Sequence, residues 1–166
     1  MHGEYSGRFE SGMLHHIMKG FKMSEEEDLR TTYPVLYILA RTDIDSMNPG
    51  KLAAQCGHAV SMFMYRVCQT AVLGEPDFKE WIGIDDNRKT RGFGTKIVLD
   101  AGDVSNLKFI IDNAQVEGLM ADLVVDPTYP LYDGSFVHEL SLPTCGYIFG
   151  DKLELIDIVD GLGLYK

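Results

Sequence analysis

The chain has 166 residues, 45% of them hydrophobic, so it can bury one sizeable core and is expected to form a single main domain. Acidic residues outnumber basic ones by 25 to 15, and the net charge of −10 has the wrong sign for general binding to nucleic acid. No apolar run is long enough to cross a bilayer and no secretory signal is recognisable, so we expect a cytoplasmic protein that does not enter a membrane.

Residues 1–34 contain glycines, scattered aromatics and an acidic run, which predict a partly flexible N-terminal extension before a domain at residues 35–166. The chain also has histidines that could in principle bind a metal together, namely His15, His16, His58 and His138. Their spacing is not that of a zinc site, so we predict neither a metal nor a cofactor.

Four apolar runs of strand length follow, at residues 35–40, 95–100, 121–126 and 144–149. Helical patterns lie between them at residues 49–70 and 104–117, and this alternation predicts an α/β sheet. Asn48 and Pro49 favour a helix start, because asparagine can accept a free backbone N–H and proline has no N–H to leave unpaired. Asp103 and Gly118 are the expected N-cap and C-terminal stop of the second helix.

The first predicted helix carries two sets of residues at helical spacing. One set predicts the buried face, which consists of Leu52, Cys56, Ala59, Val60, Phe63 and Val67. The other set is Lys51, Gln55 and His58, near the helix N-terminus and just after a strand, where α/β sheets usually bind ligands and an anion is favoured. Spacing alone favours the simpler interpretation that these three residues are a solvated face.

The three cysteines, Cys56, Cys68 and Cys145, form no CxxC pair, which is typical of reduced thiols. Cys56 is two residues from His58, but positions two apart on a helix point to different faces. A Cys–His nucleophile is therefore disfavoured.

A short basic segment could offset the unfavourable net charge. Arg88, Lys89, Arg91 and Lys96 lie close together around Phe93, so the basic groups could bind phosphates while the aromatic ring stacks on a base. The alternative is an ordinary solvated loop leading into the strand at residue 95.

The segment RTDIDSMNPGKLAAQCGHA, residues 41–59, resembles the signature of the archaeal and eukaryotic type 2 peptidyl-tRNA hydrolases (Pth2). Matching features continue in order through Trp81, the strand at 96–99, Asp126, the strand at 144–150 and the tail at 156–162, so the resemblance covers roughly residues 35–165. It implies a three-layer α/β fold with a four-stranded mixed β-sheet flanked by helices. It also implies hydrolysis of the ester that joins a peptide to the terminal ribose of tRNA.

The resemblance implies a site at Lys51, His58 and Asp126. Lys51 would be the cation at the scissile ester, and Asp126 would orient water or the lysine. His58 would act as base or hold the ribose, and the sequence leaves open which residue accepts the proton. Substrate positioning is expected from Gln55, Thr128, Arg41 and Asp43, and phosphate binding from the basic segment at residues 88–96.

The chain departs from the family after Asp126, which is followed by Pro-Thr-Tyr-Pro instead of Ala-Gly-x-Thr. Proline at position 130 stands where the family has an active-site threonine, and Thr128 could substitute for it or be only a turn residue. Residues 127–143 are also longer than the family pattern, and the Asp133-Gly134 pair predicts a hairpin with a type I′ turn. Such a hairpin could cover the ester.

We therefore predict a peptidyl-tRNA hydrolase whose partner is tRNA. The alternative is a member of the fold that has lost the reaction and binds RNA or a protein, and a more distant one is hydrolysis of another ester or amide. A homodimer is possible, since Ala54, Gly57 and Ser61 form a strip of small residues that would also suit packing within the chain.

Overall fold

The structure is a computed structural model that describes residues 33–70, 75–83 and 94–166. Within these ranges the strands are β1 (Pro34–Ala40), β2 (Thr95–Asp100), β3 (Met120–Asp133) and β4 (Phe136–Asp151). The helices are α1 (Pro49–Gln69), α2 (Pro76–Ile82), α3 (Val104–Val116) and α4 (Lys152–Val159). The predicted N-terminal extension, apart from its last two residues, lies outside the described residues. None of the described helices is both long and apolar enough to cross a membrane.

The four strands form one mixed sheet in the order β2-β1-β4-β3. β1 pairs with β2 in parallel and with β4 in antiparallel orientation, and β3 pairs with β4 in antiparallel orientation. β1 is therefore central and is buried at every position, which explains its uninterrupted apolar sequence. The predicted four-stranded mixed sheet is confirmed.

Hydrophobic cores lie on both faces of the sheet, so the predicted three-layer arrangement is also confirmed. On one face, Val35 and Leu39 of β1 belong to a cluster with residues of α3 and α4. On the other face, Ile38 belongs to a cluster with Phe63 of α1 and Trp81 of α2. Alternation along β1 thus directs successive side chains to opposite layers.

Both predicted helix starts are confirmed by their capping bonds. The Asn48 side chain accepts a hydrogen bond from the backbone N–H of Lys51 at 3.0 Å. The Asp103 carboxylate accepts bonds from the backbone N–H groups of Ser105 and Asn106. The first cap fixes the start of α1 shortly after β1 ends.

The predicted division of α1 into two faces is wrong for Gln55, which is only 3% exposed. Gln55 begins the buried strip of α1, which continues through Ala59, Phe63 and Val67 at intervals of four residues. The predicted core residues Leu52, Cys56 and Val60 are only partly buried. A polar residue can take this place because its amide finds buried hydrogen-bond partners, which offset the cost of desolvation.

The small residues on α1 are exposed, namely Ala54, Gly57 and Ser61. They therefore do not pack tightly against another helix in the part of the chain that the structure describes. The homodimer stays a prediction.

The long segment after Asp126 forms an extension of β3 and β4, which continue beyond the end of β1 as a two-stranded arm, here called the hairpin arm (residues 127–142). Its pairs run from Tyr129 opposite Leu140 to Asp133 opposite Phe136. The predicted hairpin is thus present, but its turn is one residue later than predicted. Gly134, with φ of 58°, is the first of the two central residues, a position that suits glycine.

Candidate functional site

Polar side chains from three elements meet where β1 ends, α1 begins and the hairpin arm leaves the sheet. β1 ends at Ala40, which pairs with Cys145, and Thr144 is the next residue of β4 beyond that pair. Asp126 pairs with Leu142 on the adjacent strand. The polar cluster consists of Gln55, Asp126 and Thr144, which are joined by hydrogen bonds, together with Lys51 and His58, which lie about one turn before and after Gln55 on α1.

A chain of two hydrogen bonds holds the carboxylate of Asp126. Thr144 Oγ1 donates to Gln55 Oε1 at 2.5 Å, and Gln55 Nε2 donates to Asp126 Oδ2 at 2.6 Å. Thr144 is 0% and Gln55 3% exposed, so water cannot easily replace either bond. Because both ends of the amide are occupied, Gln55 can present only its N–H group to Asp126.

The environment of Asp126 favours its ionised form. Burial acts to raise the pKa of Asp126, but hydrogen bonds from Thr128 and Gln55 and the nearby charge of His58 lower it below the ordinary value. The Thr128 backbone N–H donates to Asp126 Oδ1 at 3.0 Å. Asp126 is therefore a carboxylate at neutral pH, and His58, which is exposed on α1, contributes to its electrostatic environment.

The hairpin arm surrounds the ammonium group of Lys51. Lys51 Nζ donates a hydrogen bond to the backbone oxygen of Pro130 at 2.7 Å. It also lies 4.6 Å from the ring centre of Tyr129 and 5.3 Å from that of Tyr132. At the position where the family pattern has threonine, this chain therefore provides the carbonyl oxygen of Pro130 to the lysine.

Arg41 and Asp43 form a bidentate ion pair with each other. Arg41 Nε and Nη2 each lie 2.8 Å from one oxygen of Asp43, and Arg41 Nη1 donates to the backbone oxygen of Pro143 at 2.7 Å. The hydrogen bond raises the pKa of Arg41 and lowers that of Asp43. These contacts fix the segment after β1 against β4, and neither residue contacts the Asp126 carboxylate.

Of the basic residues proposed for phosphate binding, the structure describes only Lys96, which is not part of the polar cluster. Arg88, Lys89 and Arg91 lie outside the described residues. Lys96 pairs with Leu36, four residues before the end of β1, so it lies roughly 13 Å along the strand from that end. Lys96 Nζ lies 4.6 Å from the ring centre of Trp81, and burial lowers the pKa of Lys96.

All three cysteines are free thiols. Burial raises the pKa of Cys145 to about 12, and burial also raises the pKa of Cys56. The Cys145 thiol donates to the backbone oxygen of Gln55 at 3.4 Å, so it supports the polar cluster without offering a thiolate.

Three residues at the site were missed by sequence reasoning, namely Thr144, Tyr129 and Tyr132. Thr144 had a usable signal, because it is a hydroxyl residue at the first position of the otherwise apolar strand predicted at residues 144–149. The two tyrosines had none, since their contacts with Lys51 depend on how far the hairpin arm reaches over α1. Tyr129 is held there by its hydroxyl, which lies 3.2 Å from Ser46 Oγ.

Comparison with known proteins identifies the family of the chain. The family model described as peptidyl-tRNA hydrolase PTH2 matches residues 34–157, which include β1, α1, Asp126 and the whole hairpin arm. A search of curated proteins returned no match. A match over that length covers most of the chain and nearly all of the described domain, and the chain therefore belongs to the peptidyl-tRNA hydrolase PTH2 family.

Proposed function

We propose that the protein hydrolyses the ester between a peptide, or an N-blocked aminoacyl group, and the terminal ribose of tRNA. The observation that supports this best is the hydrogen-bonded chain from Thr144 through Gln55 to Asp126, with Lys51 one helical turn before Gln55 on α1. Ester hydrolysis requires a group that accepts a proton from water and a cation that stabilises the oxyanion. An ionised carboxylate and an ammonium group can supply these two functions. Membership of the peptidyl-tRNA hydrolase PTH2 family supports this choice of substrate class.

Asp126 is the group suited to orient and deprotonate the attacking water. Its lowered pKa keeps the carboxylate ionised, and Gln55 and Thr128 each bind one of its oxygens. Each carboxylate oxygen has a further lone pair, so a water molecule can still bind there. His58 is the alternative base, or it holds the terminal ribose from its exposed position on α1.

Lys51 is suited to stabilise the oxyanion that forms when water adds to the ester carbonyl. An ammonium group has three N–H donors, and Pro130 accepts one of them. The remaining two can bind the oxyanion, and the rings of Tyr129 and Tyr132 exclude water from one side. Collapse of the tetrahedral intermediate then releases the peptide carboxylate and the ribose hydroxyl.

Arg41 and Asp43 would act indirectly, by fixing the segment between β1 and α1. Their mutual ion pair and the bond to Pro143 leave little capacity to bind substrate directly. The positioning role predicted for them would therefore operate through the backbone.

Phosphate binding by Arg88, Lys89, Arg91 and Lys96 would be a second contact with tRNA. Each phosphate contact adds about 0.7–0.9 to the slope of log affinity against log salt concentration. An Arg88→Ala/Lys89→Ala variant should therefore flatten that slope by roughly 1.4–1.8 units. An unchanged slope would exclude the segment as a phosphate site.

The second candidate is a family member that binds RNA or protein without the reaction. The enclosure of Lys51 by the hairpin arm favours it, because the same contacts limit access to the ammonium group. The two candidates differ in turnover, and tRNA binding does not distinguish the enzyme from a family member that binds RNA.

The test is release of N-acetyl-aminoacyl groups from tRNA by the purified full chain. Lys51→Ala and Asp126→Asn should each lower kcat by about a hundredfold or more, which is typical for removing an oxyanion donor or a base. Lys108→Ala and Asp112→Asn, exposed on α3 in the opposite layer, are matched controls that should retain full activity.

Absence of turnover by the wild type, under conditions where a known hydrolase is active, would exclude the enzyme. Binding of the same tRNA would then support the second candidate. Equal activity of Lys51→Ala and Lys108→Ala would exclude the role of Lys51.

A further inference from the structure

A cavity of about 660 Å³ lies between the segment after β1 and the hairpin arm. Residues 41–46 form one wall and residues 131–142 of the arm form the other. We call this cavity the hairpin groove. Its volume is within the range of sites that bind small molecules or a few residues of peptide, about 300–1,000 Å³.

The hairpin groove adjoins the ammonium of Lys51 through two shared residues. Tyr132 lines the groove, and its ring centre is 5.3 Å from Lys51 Nζ. Ser46 also lines the groove and lies 3.2 Å from the hydroxyl of Tyr129, whose ring is the nearer neighbour of the lysine. A group bound at Lys51 would therefore lie close to the groove.

The lining of the groove combines apolar and acidic side chains. Ile44, Leu131 and Leu140 provide apolar surface. Arg41 and Asp43 neutralise each other as an ion pair, which leaves the carboxylates of Asp45 and Asp133 as uncompensated charges among the lining residues, with His138 beside them. A polyanionic RNA is disfavoured by such a lining, whereas an apolar side chain next to a cationic one is complementary to it.

We propose that the hairpin groove binds the peptide part of the substrate, on the N-terminal side of the esterified residue, and prefers an apolar residue beside lysine or arginine. This rests on the proposed hydrolysis of peptidyl-tRNA. The esterified carbonyl would lie at Lys51, the peptide would enter the groove, and the RNA would leave on the side of α1. The segment that makes this chain longer than its family pattern would thus select the peptide.

The kinetic test uses three substrates on one tRNA that differ only in the acyl group: acetyl-Leu-Lys-Ala, acetyl-Ser-Glu-Ala and acetyl-Ala. The wild type should hydrolyse the Leu-Lys substrate with a kcat/KM about tenfold above that of the Ser-Glu substrate. This is the size expected for one apolar contact of leucine and one exposed charge interaction of lysine with the groove. In Asp45→Asn/Asp133→Asn the ratio should fall about two- to fivefold, because the charge contribution is removed while the apolar contact of leucine remains. The control Asp112→Asn/Asp157→Asn makes the same change of charge on α3 and α4 and should retain the full ratio.

The ratio between substrates is the decisive readout, because a general loss of activity cancels in it. A wild-type ratio near one, or an equal fall in the control, would overturn the proposal. Hydrolysis of acetyl-Ala-tRNA in that case would still support the proposed function, so the two conclusions fail separately.

A binding measurement tests whether the hairpin groove binds a peptide, even if no ester is hydrolysed. The peptide amide acetyl-Leu-Lys-Ala-NH₂ is added to isotopically labelled protein, and the resonances of Leu131, Tyr132 and Leu140 are followed by NMR. Shifts at these residues that are lost in Asp45→Asn/Asp133→Asn support a peptide site. No shifts there, or the same shifts with uncharged tRNA, would overturn it.

Discussion

Stability and activity should depend on different hydrogen bonds of Gln55, and variants of this residue can distinguish the two. The first variant replaces Gln55 by leucine, which has a similar size. The Gln55 amide accepts from Thr144 at 2.5 Å and donates to Asp126 at 2.6 Å. Leucine removes both bonds at once. The hydroxyl of Thr144, which is 0% exposed, then has no oxygen acceptor, and Asp126 keeps the backbone bond from Thr128.

Loss of the hydrogen bond to Thr144 affects mainly stability, whereas loss of the hydrogen bond to Asp126 affects mainly activity. An unpaired buried hydroxyl costs about 1–3 kcal/mol, which lowers Tm by roughly 3–12 °C in a domain of this size. A hydrogen bond to a charged acceptor contributes about 1.5–3 kcal/mol, so kcat/KM should fall roughly 10- to 150-fold if the bond positions Asp126 during the reaction.

A second variant, Gln55→Leu/Thr144→Val, distinguishes the two effects. Because no buried hydroxyl is left unpaired, the part of the stability loss that is due to Thr144, about 1–3 kcal/mol, should be recovered. Asp126 still lacks its donor, so kcat/KM should stay as low as in the single variant. Urea unfolding followed by circular dichroism and ester release from N-acetyl-aminoacyl-tRNA measure the two quantities. Recovery of activity in the double variant would refute the role of Gln55 in holding Asp126.

Two further predictions concern the dependence of stability on pH and the replacement of two glycines by alanine. The pKa of Asp126 is lowered by folding, so its ionised form contributes stability that is present above the unfolded pKa of about 3.9 and is lost as pH falls through the folded pKa. The free energy of unfolding of Asp126→Asn should therefore fall less steeply than that of the wild type below about pH 4, and parallel curves would contradict this. Gly94→Ala should cost about 2–5 kcal/mol, because φ is 73° and a Cβ would lie 2.2 Å from the Trp81 ring. Gly161→Ala, with φ of 77° and no neighbour within 4 Å, should cost only the backbone strain of about 1–2 kcal/mol, and equal losses in the two variants would show that the ring contact is unimportant.

The parts of the fold that could be predicted are those encoded by local pattern. β1 is an apolar run because it is covered on both faces, and Asn48 and Asp103 cap helices through bonds to residues two or three positions away. Helices α2 and α4 were not predicted, since each has only seven or eight residues and too few turns to show a helical period.

The arrangement of the site depends on contacts between distant positions, which periodicity cannot reveal. Gln55 was predicted with Lys51 and His58 on one face, but its partners lie 71 and 89 residues away. Its burial became possible only because Thr144 and Asp126 satisfy its amide. Resemblance to the family indicated Lys51 and Asp126, but the contact of Lys51 with Pro130 arises where the chain departs from that family.

The net charge of −10 is compatible with an anionic substrate only if the acidic residues lie away from its path. α1 has no aspartate or glutamate over its 21 residues, and its basic side chains are Lys51, His58 and Arg66, the last paired with Asp122. The uncompensated carboxylates near the site are instead in the hairpin groove, at Asp45 and Asp133. Electrostatic forces are screened beyond about 8 Å, so this local distribution matters more than the total charge. The anionic RNA and the peptide would therefore meet surfaces of different charge on either side of one ester.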